Sequence, residues 1–155
     1  MEEERGFSKV DDEVIEKLVE TLGRENVKTD IVERYVYSSD ASLFSALPDV
    51  VVIPETTEQV SGIMRIASEK RIPVTPRGAG TGLCGGAVPL YGGIVVDLSR
   101  MNRILEVDSD NFCVTVEAGI VPEELNKKLS EHGVFFPPSP GSKKMCTIGG
   151  MISTN

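Results

Sequence analysis

Short runs of β-branched residues alternate with stretches in which apolar side chains recur every three or four positions, and this alternation predicts most of the elements. Near the N-terminus Val14, Ile15, Leu18, Val19 and Leu22 fall on one helical face, with Asp11 or Asp12 placed to cap the helix and Gly23 to end it. Asp49-Val50-Val51-Val52-Ile53 is a continuous apolar run stopped by Pro54, the pattern of a strand buried in a small parallel sheet. Thr56 and Gln59 then stand at capping-box spacing. Val60, Ile63, Met64 and Ala67 predict the core face of the helix that follows, which ends near Lys70-Arg71. Ile72 to Pro76 and Ile94 to Leu98 read as the second and third strands, so that strand, helix and strand form a βαβ unit.

Further along, Ile104 to Asp108 and Phe112 to Glu117 predict a hairpin around Ser109-Asp110-Asn111. In its second strand Phe112, Val114 and Val116 alternate with Cys113, Thr115 and Glu117. Pro122 suits a first helical position, Glu123 and Glu124 favour the same end of the dipole, and Leu125 and Leu129 form the stripe of a helix that Gly133 ends. His132, the single histidine of the chain, lies at that C-terminus and is expected to support the helix end. Pro137, Pro138 and Pro140 stiffen the next segment. The stretch 27–47 has no clear period and reads as an irregular arm, in which Tyr35 and Tyr37 are packing groups. Residues up to about Ser8 are acidic and expected to fray.

One stretch fits no regular period. From Gly78 to Gly86, five of nine residues are glycine, directly after the second strand. Glycine costs conformational entropy, so such a cluster marks backbone that must turn with positive φ or approach something closely. A run of bare amides makes an anion-binding concavity, to which Arg77 and the Thr81 hydroxyl add hydrogen-bond donors. The alternative is a plain surface loop, but flexible linkers lack the bracketing strands and the apolar Leu83, Ala87 and Val88 found here. A Walker A loop is excluded, since no lysine lies between Lys70 and Lys127. Gly80 to Gly85 matches Gly-x-Gly-x-x-Gly, yet a dinucleotide fingerprint must open into a helix. The residues between Gly85 and Ile94 include Pro89 and three glycines and leave no room for one. A phosphate group here is therefore expected to rest on loop backbone. Asp97, at the end of the third strand, either faces the ligand or caps the turn from Ser99 to Asn102.

Composition narrows the partners. The chain has 155 residues, enough for one domain, and a formal net charge of −8, which disfavours nucleic acid and anionic membrane surfaces. Cys84, Cys113 and Cys146 are too far apart for a zinc site and suit reduced thiols in the cytoplasm. Met1 to Arg5 lacks the character of a signal peptide, and no apolar run approaches a membrane span.

Pro76-Arg77-Gly78-x-Gly80-Thr81-Gly82-Leu83-x-Gly85-Gly86, followed by Gly93 to Ser99, resembles the FAD-binding segment of the flavoenzymes that include D-lactate dehydrogenases and the glycolate oxidase FAD subunit, within the vanillyl-alcohol oxidase group. Val116 to Gly119, Pro137-Pro138-x-Pro140-x-Ser142 and Thr147 to Met151 extend the likeness, in order, from Asp49 to Asn155. The resemblance implies an α+β FAD-binding PCMH-type fold: a small parallel sheet with flanking helices, then the start of a second, mainly antiparallel lobe. It implies residues 1–47 as an N-terminal helical arm and 48–155 as the flavin domain. It assigns FAD contacts to Pro76, Arg77, Gly78, Ala79, Gly80, Thr81, Gly82, Leu83, Gly85 and Gly86, to Pro140, Gly141 and Ser142, and to Thr147, Ile148, Gly149, Gly150, Ser153 and Asn155. The amides of Ile148 to Gly150 are expected to donate to the cofactor. Ser139 stands where the similar enzymes usually have aspartate, and no role is assigned to it. No histidine lies near Thr81 and Cys84 has no counterpart as an attachment site, so FAD is expected to be non-covalent. The implied activity is oxidation of a 2-hydroxy acid, glycolate or D-lactate, completed by the remainder of the flavoenzyme on the same or another chain. No catalytic residue is assigned within this chain. The competing reading is a non-catalytic module that uses the glycine loop for another nucleotide or a partner protein.

Overall fold

A computed structural model describes residues 6–154. The expected fraying of residues 1–5 and the cofactor assignment of Asn155 lie outside the described residues. Helix α1 (Asp12–Leu22) begins where the Asp11 carboxylate accepts the Val14 amide at 2.9 Å, and it stops at Gly23 with φ 83°. Its Val14, Leu18 and Leu22 are buried, as the period requires. They pack with Ile63 and Ala67 of α3 (Thr57–Lys70) onto the first sheet. Met64, expected on that face, is 47% exposed instead, because the stripe of α3 is narrower than its apolar residues suggest. Thr56 Oγ1 accepts the Gln59 amide at 3.3 Å, and the Gln59 side chain returns to the Glu55 amide at 2.7 Å, one residue earlier than a capping box would place it.

The first sheet has four strands: β1 (Val27–Lys28), β2 (Val50–Val52), β3 (Val74–Arg77) and β4 (Ile94–Asp97), in the order β1-β2-β4-β3. β2, β4 and β3 are parallel, with Val50 opposite Ile94 and Val74 opposite Ile94 on the other side. β4 thus lies between the two strands of the βαβ unit. β1 is antiparallel to β2, and with the short helix α2 (Ile31–Val36) it gives regular structure to part of the segment expected to be irregular. Every residue of β2 and β4 is buried, which accounts for their unbroken apolar runs.

The second layer starts with the hairpin β5 (Ile104–Asp108) and β6 (Cys113–Val116). Val114 and Val116 join a second core with Leu125 and Leu129 of α4 (Pro122–Leu129), Ile120, and Ile148 of α5 (Ile148–Thr154). Phe112 departs from the expected alternation. It sits in the turn at φ 54° and is 83% exposed.

Candidate functional site

Two strands end side by side at the C-terminal edge of the parallel sheet, with Arg77 of β3 opposite Asp97 of β4. Adjacent parallel strands need a crossover, usually helical. Here the residues from Gly78 to Gly93 make that return with no helix. Positive φ at Gly80 (67°) and Gly85 (75°) turns the loop, and Gly93 (72°) lets it re-enter the sheet where a Cβ would strike the Pro73 carbonyl. Among the described residues, no protein acceptor is hydrogen-bonded to the main-chain amides from Gly78 to Gly86, and the Thr81 hydroxyl has no protein partner. A Cβ added at Gly82 or Gly86 would meet nothing within 4 Å. The loop therefore presents unsatisfied donors beside open space.

Arg77 does not stand free at the mouth. Its Nη1 donates to the Ser39 carbonyl at 2.8 Å and the Ala87 carbonyl at 3.4 Å, and its guanidinium lies 5.5 Å from the Tyr37 ring centre. The Tyr37 hydroxyl donates to Asp97 Oδ2 at 2.9 Å. Burial, then the Asp97 charge and this hydrogen bond, push the phenol up to about 12. Asp97 Oδ1 accepts the Ser99 amide at 2.9 Å, which is the turn-capping role. Two further contacts come from the same segment. The Ala41 amide donates to the Gly80 carbonyl at 3.1 Å, and Asp40 Oδ2 accepts from the Ala87 amide at 3.4 Å. Burial raises the Asp40 pKa, but hydrogen bonds from Ser42 and Ala87 and the Arg77 charge outweigh it and leave the carboxyl below its ordinary value. Sequence reasoning missed this cluster, taking Tyr37 for plain packing. The available signal was the run Tyr37-Ser38-Ser39-Asp40, polar residues that favour turns and local backbone hydrogen bonds.

The second glycine segment reaches the first at one point: a Cβ on Gly78 would collide with the Thr147 hydroxyl. Thr147 is buried, and its Oγ1 accepts the Gly150 amide at 3.2 Å as α5 begins. The expected donors are otherwise engaged. Ile148 N–H goes to the Ile120 carbonyl at 2.9 Å and Gly149 N–H to the Ala118 carbonyl at 2.8 Å. This corrects the expectation that the amides of Ile148 to Gly150 serve a ligand. Gly149 is small for packing, since its added Cβ would lie 2.8 Å from that of Ala118. Ser153 Oγ bonds back to the Gly149 carbonyl at 2.8 Å. Pro140, Gly141 and Ser142 form a separate turn, in which the Ser142 carbonyl accepts the amides of Met145 and Cys146, both at 2.8 Å. Gly141 faces open space. No hydrogen bond among the described residues joins this turn to the glycine loop.

Unpartnered amides, a free hydroxyl and space at Gly82 and Gly86 fit the phosphates of a dinucleotide held by backbone. Among the described residues no group of three or more His, Cys, Asp or Glu side chains is arranged for a metal, and no described helix is long and apolar enough to cross a membrane.

The comparisons agree with this chemistry. The chain is 42% identical over 144 residues to glycolate oxidase subunit GlcD of Bacillus subtilis (strain 168), covering 92% of this chain and 31% of that protein. It is 39% identical over 150 residues to D-lactate dehydrogenase of Anaerostipes hadrus, covering 96% of this chain and 31% of that protein. D-2-hydroxyglutarate dehydrogenase of Escherichia coli (strain K12) is 43% identical over 131 residues, 82% of this chain and 13% of that one. The chain thus spans less than a third of these relatives. Among solved structures, alkyldihydroxyacetonephosphate synthase superposes with a TM-score of 0.85 at 25% identity, over 96% of this chain and 30% of that one. p-Cresol methylhydroxylase does so with a TM-score of 0.70 at 26% identity, over 79% and 25%. The fold is the α+β, PCMH-type flavoprotein fold. Residues 48–155 match the FAD binding domain, and the chain belongs to that family.

Proposed function

We propose that this chain supplies the FAD-holding part of a flavoprotein that oxidises a small 2-hydroxy acid such as glycolate or D-lactate. The observation that carries the reading is the helix-free glycine loop at the sheet edge, whose amides from Gly78 to Gly86 lack protein acceptors. In this reading residues 48–155 form the flavin domain and 1–47 its N-terminal extension. Backbone from Pro76 to Gly86, with the Thr81 hydroxyl, holds the diphosphate. Thr147, touching Gly78, brings the second segment and the turn Pro140–Ser142 to the same cofactor. Attachment is non-covalent.

When bound, the flavin supplies the redox chemistry. This chain's residues bind and orient it. The base that must stand near the substrate proton belongs to the remainder of the flavoenzyme, on the same or a separate chain. We place the protein in the cytoplasm, where three free cysteines, two of them exposed, persist as thiols.

Calorimetric titration with FAD, NAD and ADP tests the reading. FAD is expected to bind and to leave a yellow, non-covalent complex that denaturation releases. Tight binding of ADP or NAD with rejection of FAD would favour a non-catalytic nucleotide module instead.

A further inference from the structure

We propose that Tyr37–Phe44 is a positioning clamp for the glycine loop, so that the loop's ability to receive FAD depends on residues outside the stretch 48–155 that matches the FAD binding domain. The inference rests on the reading of the loop given above.

Four contacts from this short segment reach the loop or its base. Ser39 accepts Arg77 through its carbonyl at 2.8 Å, Asp40 accepts the Ala87 amide at 3.4 Å, and the Ala41 amide donates to Gly80 at 3.1 Å. The Phe44 ring occupies the space beside Gly85, where an added Cβ would lie 2.7 Å from it. The clamp is itself fixed at both ends. Tyr37 is tied to Asp97 at 2.9 Å, at the end of β4. The Ala46 amide closes onto the Ser38 carbonyl at 2.8 Å, and Ser39 and Ser45 pair as an isolated bridge. Inside it, Asp40 Oδ1 accepts the Ser42 amide at 2.8 Å.

The physical need is plain. Glycine loses more conformational freedom on ordering than any other residue, and amides that must await a ligand have no internal hydrogen bonds to order them. Carbonyls of the loop can be held instead. The clamp holds the Gly80 carbonyl in this way, takes the Ala87 amide just beyond the loop, and leaves the donors of Gly78 to Gly86 unused. A site ordered before binding avoids that entropy loss at the binding step.

Two variants test the proposal in the full chain, Asp40→Ala and Phe44→Ala. Phe44 is 54% exposed, so its truncation costs little core. Val14→Ala, in the core under α1, is the control for general destabilisation. The first readout is the backbone order of the loop by amide relaxation, without any cofactor. In both clamp variants the order parameters of Gly78 to Gly86 are expected to fall from the rigid range of about 0.85 toward 0.6 or below, while β2 and β4 keep theirs. The second is the FAD dissociation constant, measured where every variant is fully folded. It is expected to rise about tenfold or more in the clamp variants, a change of about 1.4 kcal/mol, and to stay unchanged in Val14→Ala. Loop order equal to the wild type in both clamp variants, or an unchanged dissociation constant, would overturn the clamp. If the wild-type chain rejects FAD, it is the dinucleotide reading that fails, and the relaxation data still decide whether the segment orders the loop.

Discussion

Three glycines of the loop region do different work, and their neighbours say which. Gly93 sits at φ 72° with the Pro73 carbonyl where a Cβ would go, so its role is to let the chain back into the sheet. Gly82 has negative or extended φ and nothing within 4 Å, so its role is to leave space. Gly78 lies against the Thr147 hydroxyl and permits the two glycine segments to meet. From sequence all three look alike. We expect Gly93→Ala to destabilise the fold by more than about 1 kcal/mol, read as a fall in Tm. Gly82→Ala should leave stability within about 0.5 kcal/mol yet weaken FAD binding, because its methyl group enters the space that the cofactor needs. A loss of Tm in Gly82→Ala as large as that in Gly93→Ala would contradict this division. Arg77 carries the same lesson. Its charge beside a phosphate loop invites a direct role, but its Nη1 is committed to two carbonyls and its guanidinium to the Tyr37 ring.

Local signals placed the elements well where one side chain pattern dominated. The caps of α1 and α3, the proline at the start of α4 and the hairpin turn all follow from residues close in sequence. Where an element depends on distant partners, the reading failed. β1 has two residues and exists because Val27 pairs with Val52. The stretch from Thr147 was expected to offer amides, but α5 docks against Ala118 and Ile120, which take the amides of Gly149 and Ile148. The hairpin's base has a staple of this kind. Glu117, buried, accepts the Arg103 amide at 2.8 Å and the Arg103 guanidinium at 2.7 Å and 3.0 Å. Those bonds hold its carboxyl below the ordinary value, the side-chain bond to Arg103 most of all. A depressed folded pKa means that the staple's contribution is present above the ordinary glutamate value of about 4.5 and is lost as pH falls through the lowered one. Glu117→Gln should therefore lower Tm at neutral pH, with the gap to wild type closing on acidification. A gap that stays constant from pH 7 to about pH 3 would show that the charge is not what the staple uses.

At the scale of the molecule, the two glycine segments touch where Gly78 lies against Thr147, and there are two cores. The first unites α1 and α3 with the parallel sheet, and the second joins the hairpin to α4 and α5. Outside both, Leu43, Leu83, Phe135 and Ile152 are each more than 70% exposed. Apolar exposure of this kind favours association. Sedimentation velocity is expected to show the chain shifting to larger species as concentration rises. A single concentration-independent monomer would refute the expectation. The sequence by itself determined the places of α1, α3, α4, the parallel strands and the hairpin, the helix-free glycine loop and the family likeness, because propensity, capping and backbone steric limits act over a few residues. Only the tertiary structure decided that β4 lies between β2 and β3, that the amides of α5 are consumed internally, and that Tyr37 to Phe44 grips the loop. Each of those depends on which carbonyl a distant amide finds, and hydrogen-bond partners brought together across the fold leave no periodic trace in the chain.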